Sequence, residues 1–321
     1  VAIILNLTGP FQVGPGGTLT PTITVTLTDA FKHDTGLGAN DLQISGIHVT
    51  ATDKNNKKAT GDVTVNVVDD VPAALEEPES VNATVVEDAL STTVPPGDLG
   101  DLSDGNLDFG QDNTDDEESG AAGSLAALFN PGADQPLTFS LASNTSGLPK
   151  LFSKGEAVTY TVVVDDNGTP TDPSDDVSTL TATAGGRTVF TLVVNGDGSW
   201  SFDLDDQLDH LDGSGDAGLQ LKVDGGGSVS AIDFSSIIVA TDDDGDSVTG
   251  AASNGFAIAI ENDVPELTDD EVASITVYED ALGHSLDPSN EGSFTDLSVG
   301  NLDNTPNGPV ADEGDAATFS D

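Results

Sequence analysis

The chain contains no Cys and no Met, one Trp (Trp200), two Tyr, and eight cationic side chains in all, seven Lys and Arg187. Each shortage removes a class of function. Without Cys there are no disulfides, no thiolate metal sites and no cysteine nucleophile. Eight cations against 57 Asp and Glu, a formal charge of −49, cannot displace the counterions around a nucleic acid. No apolar run approaches the roughly 20 residues of a membrane-spanning helix, so no membrane span is expected in this segment. Val1–Leu5 has neither the charged lead nor the cleavage site of a signal peptide. His33, His48, His210 and His284 share no motif, and no Gly-x-Ser-x-Gly elbow, His-Glu-x-x-His pair or phosphate-binding glycine loop occurs. The chain therefore reads as a non-enzyme.

What is present argues against disorder. Hydrophobic residues make up 36% of the 321 residues and are rich in Val, Ile and Leu, enough for a core in roughly two domains of about 150 residues. The organising signal is an internal repeat. Asp69-Asp70-Val71-Pro72 recurs as Asn262-Asp263-Val264-Pro265. Val85-Val86-Glu87-Asp88-Ala89-Leu90 recurs as Val277-Tyr278-Glu279-Asp280-Ala281-Leu282. The stretch from Asp101 to Asp108 recurs from Asp296 to Asp303, and these three offsets are 193, 192 and 195 residues. Leu5–Val13 and Thr50–Asp53 align at an offset of 189 with Val194–Phe202 and Val239–Asp242. The expected layout is the back of one unit (1–68), a complete unit (69–262, one large or two small sandwiches) and the front of a third (263–321). On this reading the chain is cut from a longer repetitive protein.

Within the units the apolar period is two. Thr22–Thr28, Val63–Val67, Tyr160–Val164, Val189–Val194, Trp200–Leu204, Ile237–Thr241 and Phe256–Ile260 read as short strands, separated by Gly, Asp, Asn and Pro clusters. Helix is expected only at Ser124–Phe129 and Gln207–Leu211. The fold class is all-β, as tandem Ig-like or cadherin-like antiparallel β-sandwich units.

Acidic clusters at strand ends are the candidate sites. Asp242, Asp244 and Asp246 alternate around Gly245 just after a strand, a spacing that lets several hard oxygens converge on Ca²⁺. The aligned loop in the first unit is Asp53-Lys54-Asn55-Asn56-Lys57-Lys58, so lysines stand where its counterpart has carboxylates. The expectation is a metal site kept at Asp242–Asp246 and lost at Asp53–Lys58. The Asp-Val-Pro junctions are a second candidate: Asp69, Asp70, Glu261 and Asp263 leave one unit, and Glu87, Asp88, Glu279 and Asp280 enter the next. A third cluster lies in the loop holding Asp165, Asp166, Asp172, Asp175 and Asp176.

The blocks from Ala240 to Gly250, Asn262–Pro265 and Val277–Leu282, recurring in order, resemble the tandem repeats of bacterial RTX adhesins, giant proteins exported by type I secretion. The Asp-x-Pro junction is similar to the calcium linkers of cadherins. The Gly-Gly-x-Gly-x-Asp nonapeptides that name the RTX class do not occur here. The resemblance implies extracellular, cell-surface β-sandwich units held by Ca²⁺ at loops and junctions. Their partners would be neighbouring repeat units, with host or biofilm ligands engaged through other domains. The alternatives are a carbohydrate- or peptide-binding module, or a self-assembling unit of a surface layer or filament that adds strands between chains. Charge is also uneven: residues 1–68 hold five acids and four Lys, while 69–321 hold 52 acids and four cations. A solvation device would acidify every unit alike, so the asymmetry favours local cation sites.

Overall fold

The alternating segments form strands along the whole described length. A computed structural model describes residues 2–264 except 10–11, 15, 34–37, 91–101, 104, 106–115, 171, 214 and 216–217. Within the compact unit Val1–Pro265 the fold is all-β, built of small and mostly antiparallel sheets. β1 (Ile3–Thr8) and β2 (Thr22–Leu27) form one hairpin, β3 (Asp41–Thr52) and β4 (Lys58–Val68) a second. β5 (Ala73–Ala74) pairs with β8 (Phe129–Asn130). A five-stranded sheet runs β12 (Thr159–Asp165), β13 (Val177–Ala184), β14 (Arg187–Asn195), β15 (Trp200–Leu204), β7 (Glu117–Gly120). β18 (Ile232–Asp233), β21 (Phe256–Glu261) and β6 (Val81–Val86) make a three-stranded sheet, and β20 (Ser247–Thr249), β19 (Ile238–Thr241) and β9 (Thr138–Leu141) another. Two small ladders, β10 (Phe152–Ser153) with β11 (Glu156–Ala157) and β16 (Leu221–Val223) with β17 (Gly227–Val229), complete the set.

Three local expectations change. The β6–β21 pair is parallel, from Phe256↔Val81 to Glu261↔Val86, so the first long strand of the central unit lies beside its last. Ser124–Leu128 is a 3₁₀ turn, too short to nucleate an α-helix once Gly123 turns the chain at φ 77°. Gln207–Leu211 is not helical. The Leu208 amide donates to Glu87 Oε1 at 2.7 Å, and His210 bridges Leu221, so tertiary hydrogen bonds replace helical ones.

The repeat is visible in the pairing. The β3–β4 ladder shifts register between Ile44 and Ile47, where Gly46 takes φ 79°, the backbone of a glycine bulge. At the aligned place in the central unit the ladder is cut in two: β18 and β21 before the break, β19 and β20 after it. The 3₁₀ turn Ser235–Ile237 sits at the break, with Asp233 accepting from the Ser235 and Asn254 amides. One hairpin upstream thus corresponds to two short ladders downstream.

Burial separates the two copies. One core cluster runs from Val85 to Ile260, and among the described residues none before Ala74 belongs to it. Its centre is aromatic: Phe190 stacks near Phe202 at 5.1 Å, Trp200 near Phe256 at 5.0 Å, and Phe234 touches Phe190, Phe202 and Phe256. Such pairs contribute about 0.5–1.5 kcal/mol each beyond area burial. We expect Phe190→Ala to lower stability by about 3–5 kcal/mol, and Leu5→Ala in the open β1–β2 hairpin by less than about 1 kcal/mol. Urea unfolding followed by the fluorescence of Trp200 measures both, and comparable losses would contradict this division of the core.

Candidate metal centre

Both aligned turns share a closing hydrogen-bond pattern, which isolates what is special about one of them. In the upstream turn the Asp53 amide donates to Lys57 O at 2.9 Å, and Asp53 Oδ1 accepts from the Asn55 and Lys57 amides at 2.8 Å each. In the downstream turn the Asp242 amide donates to Asp246 O at 3.0 Å, and Asp242 Oδ1 accepts from the Gly245 and Asp246 amides at 3.1 and 2.8 Å. The fourth position is left-handed in both, Asn56 at φ 61° and Gly245 at φ 100°, a conformation that Gly and Asn tolerate best. One oxygen of the first Asp therefore closes the turn in either copy. The turns differ in burial at positions three and five, where Asn55 and Lys57 are exposed but Asp244 and Asp246 are each 2% exposed.

The downstream turn is buried by residues distant in sequence. The His33 amide donates to Asp244 Oδ2 at 3.1 Å, and the Gly38 amide to Asp246 Oδ1 at 3.0 Å. Asp69, at the exit of β4, accepts from Asn40 Nδ2 at 3.2 Å and lies 3.8 Å from His33 Nε2. Asp134 arrives on the segment after β8, where its carbonyl accepts from the Asp243 amide at 3.2 Å. Asp70 clamps that segment, its Oδ2 accepting from the Ala133 amide at 3.0 Å. Gly132 fits beside it because a Cβ there would sit 2.8 Å from Asp70 Oδ2.

The result is a group of buried carboxylates, Asp69, Asp134 and Asp244, whose ligand atoms lie within 4.8 Å of one another. Among the described residues it is the single group of this kind. Three buried oxygens of the downstream turn, Asp242 Oδ2, Asp244 Oδ1 and Asp246 Oδ2, have no hydrogen-bond partner. A buried acceptor left without a partner costs about 1–3 kcal/mol, more when charged. A cleft of about 380 Å³, lined in part by Phe31, His33, Asp69 and Asp134, leads to the group.

Cations are available elsewhere in the fold, which sharpens the contrast. Asp206 is fully buried but held by Arg187 and by Lys154 Nζ at 2.7 Å. Lys32, beside the Asp244 turn, instead donates to the carbonyl of Asp243 at 3.2 Å. The carboxyls respond accordingly. Burial pushes Asp69 above its ordinary value, partly opposed by His33 and reinforced by Asp244. Burial raises Asp134, with Asp244 and Asp69 adding to it. Burial and the adjoining Asp244 carboxyl push Asp242 up to about 7.

The other sequence candidates lie apart from this group. Glu87 and Asp88 are buried in the 3₁₀ turn Glu87–Ala89 after β6. Glu87 faces the end of its own unit: its Oε2 is 3.5 Å from the Asp263 amide and its Oε1 is 3.5 Å from His210 Nε2. Glu261 ends β21 opposite Val86. Asp165 and Asp166 are exposed and cap their own turn through the Asn167 and Gly168 amides. Asp176, beside them, is raised by burial and then by Asp175, Asp166, Asp172 and Asp165. Glu279 and Asp280 lie outside the described residues. Sequence reading missed Asp134, which stands alone between Ala133 and Gln135, and whose counterpart in neither flanking unit falls within the chain. Comparison with protein-family models, with characterised proteins and with solved structures gives no match to this chain.

The raised carboxyls set a pH dependence for the metal-free protein. A folded-state value above the unfolded one means that the native state binds more protons between the two, so stability falls as pH rises across that window. For Asp242 the window runs from about 4 to about 7. With divalent ions chelated, melting should be higher at pH near 5.5 than near 8. Asp244→Asn, which removes the charge shared by all three raised groups, should shrink that difference. An unchanged pH profile in the variant would show that this cluster does not carry it.

Proposed function

We propose that this chain is a calcium-stabilised structural segment of a tandem-repeat adhesin, secreted and displayed at the bacterial cell surface. The observation that carries the reading is the Asp69–Asp134–Asp244 group. Buried acids from three separate stretches of chain meet there, one oxygen of Asp244 has no hydrogen-bond partner, and the nearby base is His33, 3.8 Å from Asp69, rather than a Lys or Arg. At an effective dielectric near 20, two carboxylates about 4 Å apart repel by roughly 4 kcal/mol. A divalent cation reverses the sign of that term. The donors are hard carboxylate oxygens, and Ca²⁺ accepts six to eight of them in loose geometry, whereas Mg²⁺ demands a tight octahedron. Asp69, Asp134 and Asp244 would supply the first oxygens, with Asp242 and Asp246 adjoining.

Such an ion would act as a fastener. It would tie the β3–β4 hairpin and its Asp-Val-Pro exit to the central unit, stiffening the junction between repeats. That suits a stalk that holds ligand-binding domains away from a cell, as the resemblance to RTX adhesins implies. An aromatic sugar platform gains no support from Trp200, which is 4% exposed against Phe256, or from Tyr160, whose hydroxyl donates to Pro149 O.

Calcium at about one hundred times its dissociation constant should stabilise the fold by about 2.7 kcal/mol, raising melting by about 5–10 °C. EDTA should reverse the shift and soften the scattering profile. Asp134→Asn should abolish the calcium-dependent part, while Asp53→Asn in the upstream turn should leave it intact. Identical melting with calcium and with EDTA would overturn the proposal.

A further inference from the structure

β12, an edge strand of the five-stranded sheet, lies wholly inside the central unit. Among the described residues it pairs with β13 alone, in unbroken register from Thr159↔Thr183 to Asp165↔Val177. An unpaired edge offers backbone donors and acceptors to another chain, and proteins blunt such edges with short strands, charge, Pro or a bulge. The opposite edge strand, β7, is four residues long and opens on Glu117 and Glu118. β12 has seven residues, no Pro and no Lys, and its one charge is the last residue, Asp165. The register shift in this sheet falls elsewhere, between Ala182 and Thr183 in the β13–β14 ladder.

Apolar exposure gathers at the same edge. Val163 is 61% and Val164 49% exposed, and as consecutive residues they leave both faces of the strand uncovered. On the outer face Val163 stands in register with Thr179 and Val193, and Thr161 with Thr181 and Thr191. This stretch of Thr and Val is uncharged in a chain of charge −49, and β-branched partners pack well against it.

The end of the edge is acidic. Asp165 closes β12, and Asp166, Asp172, Asp175 and Asp176 follow in the loop that returns to β13. Asp165 and Asp166 are exposed, and each commits only Oδ1 to its own turn. Burial and then the four acidic neighbours raise the Asp176 carboxyl, so the loop holds repulsion that a cationic side chain would relieve. β12, this loop and β13 contain no Lys or Arg of their own.

We propose that the β12 edge binds an extended peptide segment of another protein as an added strand, cationic at its N-terminal end and β-branched beyond it. The orientation is antiparallel, as in every ladder of this sheet. The N-terminal end of the peptide then arrives beside Asp165 and Asp166, where Lys or Arg meets the acidic loop. Its β-branched residues cover Val163 and Val164. Main-chain hydrogen bonds supply affinity, and the charge supplies direction. A second copy of this chain is a poorer occupant, because two chains of charge −49 repel.

A fluorescein-labelled peptide, Lys-Lys-Val-Thr-Val-Thr, titrated into the full chain and followed by anisotropy, tests this. Binding should saturate, weaken as salt rises from about 0.05 to 0.5 M, and slow hydrogen exchange along Thr159–Asp165. The peptide Lys-Lys-Val-Pro-Pro-Thr should bind at least about tenfold more weakly, because one of two successive Pro must fall where a ladder hydrogen bond is needed. Val163→Lys with Val164→Lys, both at exposed positions, should weaken binding comparably. D165N/D166N keeps the Oδ1 acceptors of the turn and should weaken binding and flatten its salt dependence. E76Q/E77Q, an equal charge change at exposed residues outside the hairpin, should alter neither. Absence of saturable binding would overturn the proposal. Equal binding of the Pro peptide, or an equal loss in E76Q/E77Q, would also overturn it by showing simple attraction to an acidic protein. A dimer of the chain alone that V163K/V164K abolishes would give the edge to a second copy and overturn it as well.

Discussion

Mutual repulsion among buried carboxylates is the constraint on which this structure turns. A chain of charge −49 can fold with most acids in solvent, where screening makes them cheap. Asp69, Asp134, Asp242, Asp244 and Asp246 are instead buried, with amide donors from His33 and Gly38 reaching Asp244 and Asp246. Backbone amides satisfy some of their oxygens and leave others bare. On the proposed reading, a divalent cation there would hold the β3–β4 hairpin against the central unit by cancelling this repulsion. Hydrophobic packing does not take that role, because the core cluster ends inside the central unit.

The same chain shows a second way to bury an acid. Asp206 lies at zero exposure with Arg187, Lys154 and Ser103 around it, a self-supplied counter-charge. The upstream turn shows a third, in which Asp53 stays in solvent and Lys57 replaces the buried acid. Three treatments of one chemical problem thus occur among the described residues.

Much of this was legible from residues. Period-two alternation located β2, β12, β14, β15 and β21; in β15 it matches burial directly, with Trp200, Phe202 and Leu204 in the core and Ser201 and Asp203 facing away. The repeat offset paired the Asp53 and Asp242 turns, and both copies close through the same Asp oxygen and a left-handed fourth residue. Other features left no local trace. The parallel β6–β21 pair joins segments about 170 residues apart, and nothing in either strand distinguishes a parallel neighbour from an antiparallel one. Gln207–Leu211 has a helical pattern, yet Glu87 claims the Leu208 amide from across the fold.

The sequence by itself determined the all-β class, since that depends on periodicity and on local spacing, and it offered acids of the kind a hard cation would take. Only the tertiary structure decided which acids meet. It joined Asp69 of one junction to Asp244 of a distant turn, added the solitary Asp134, and sent Glu87 to the opposite end of its own unit. The reason is that a cation site is a property of distances between oxygens, and those distances are set by packing among chain segments that carry no mark of one another.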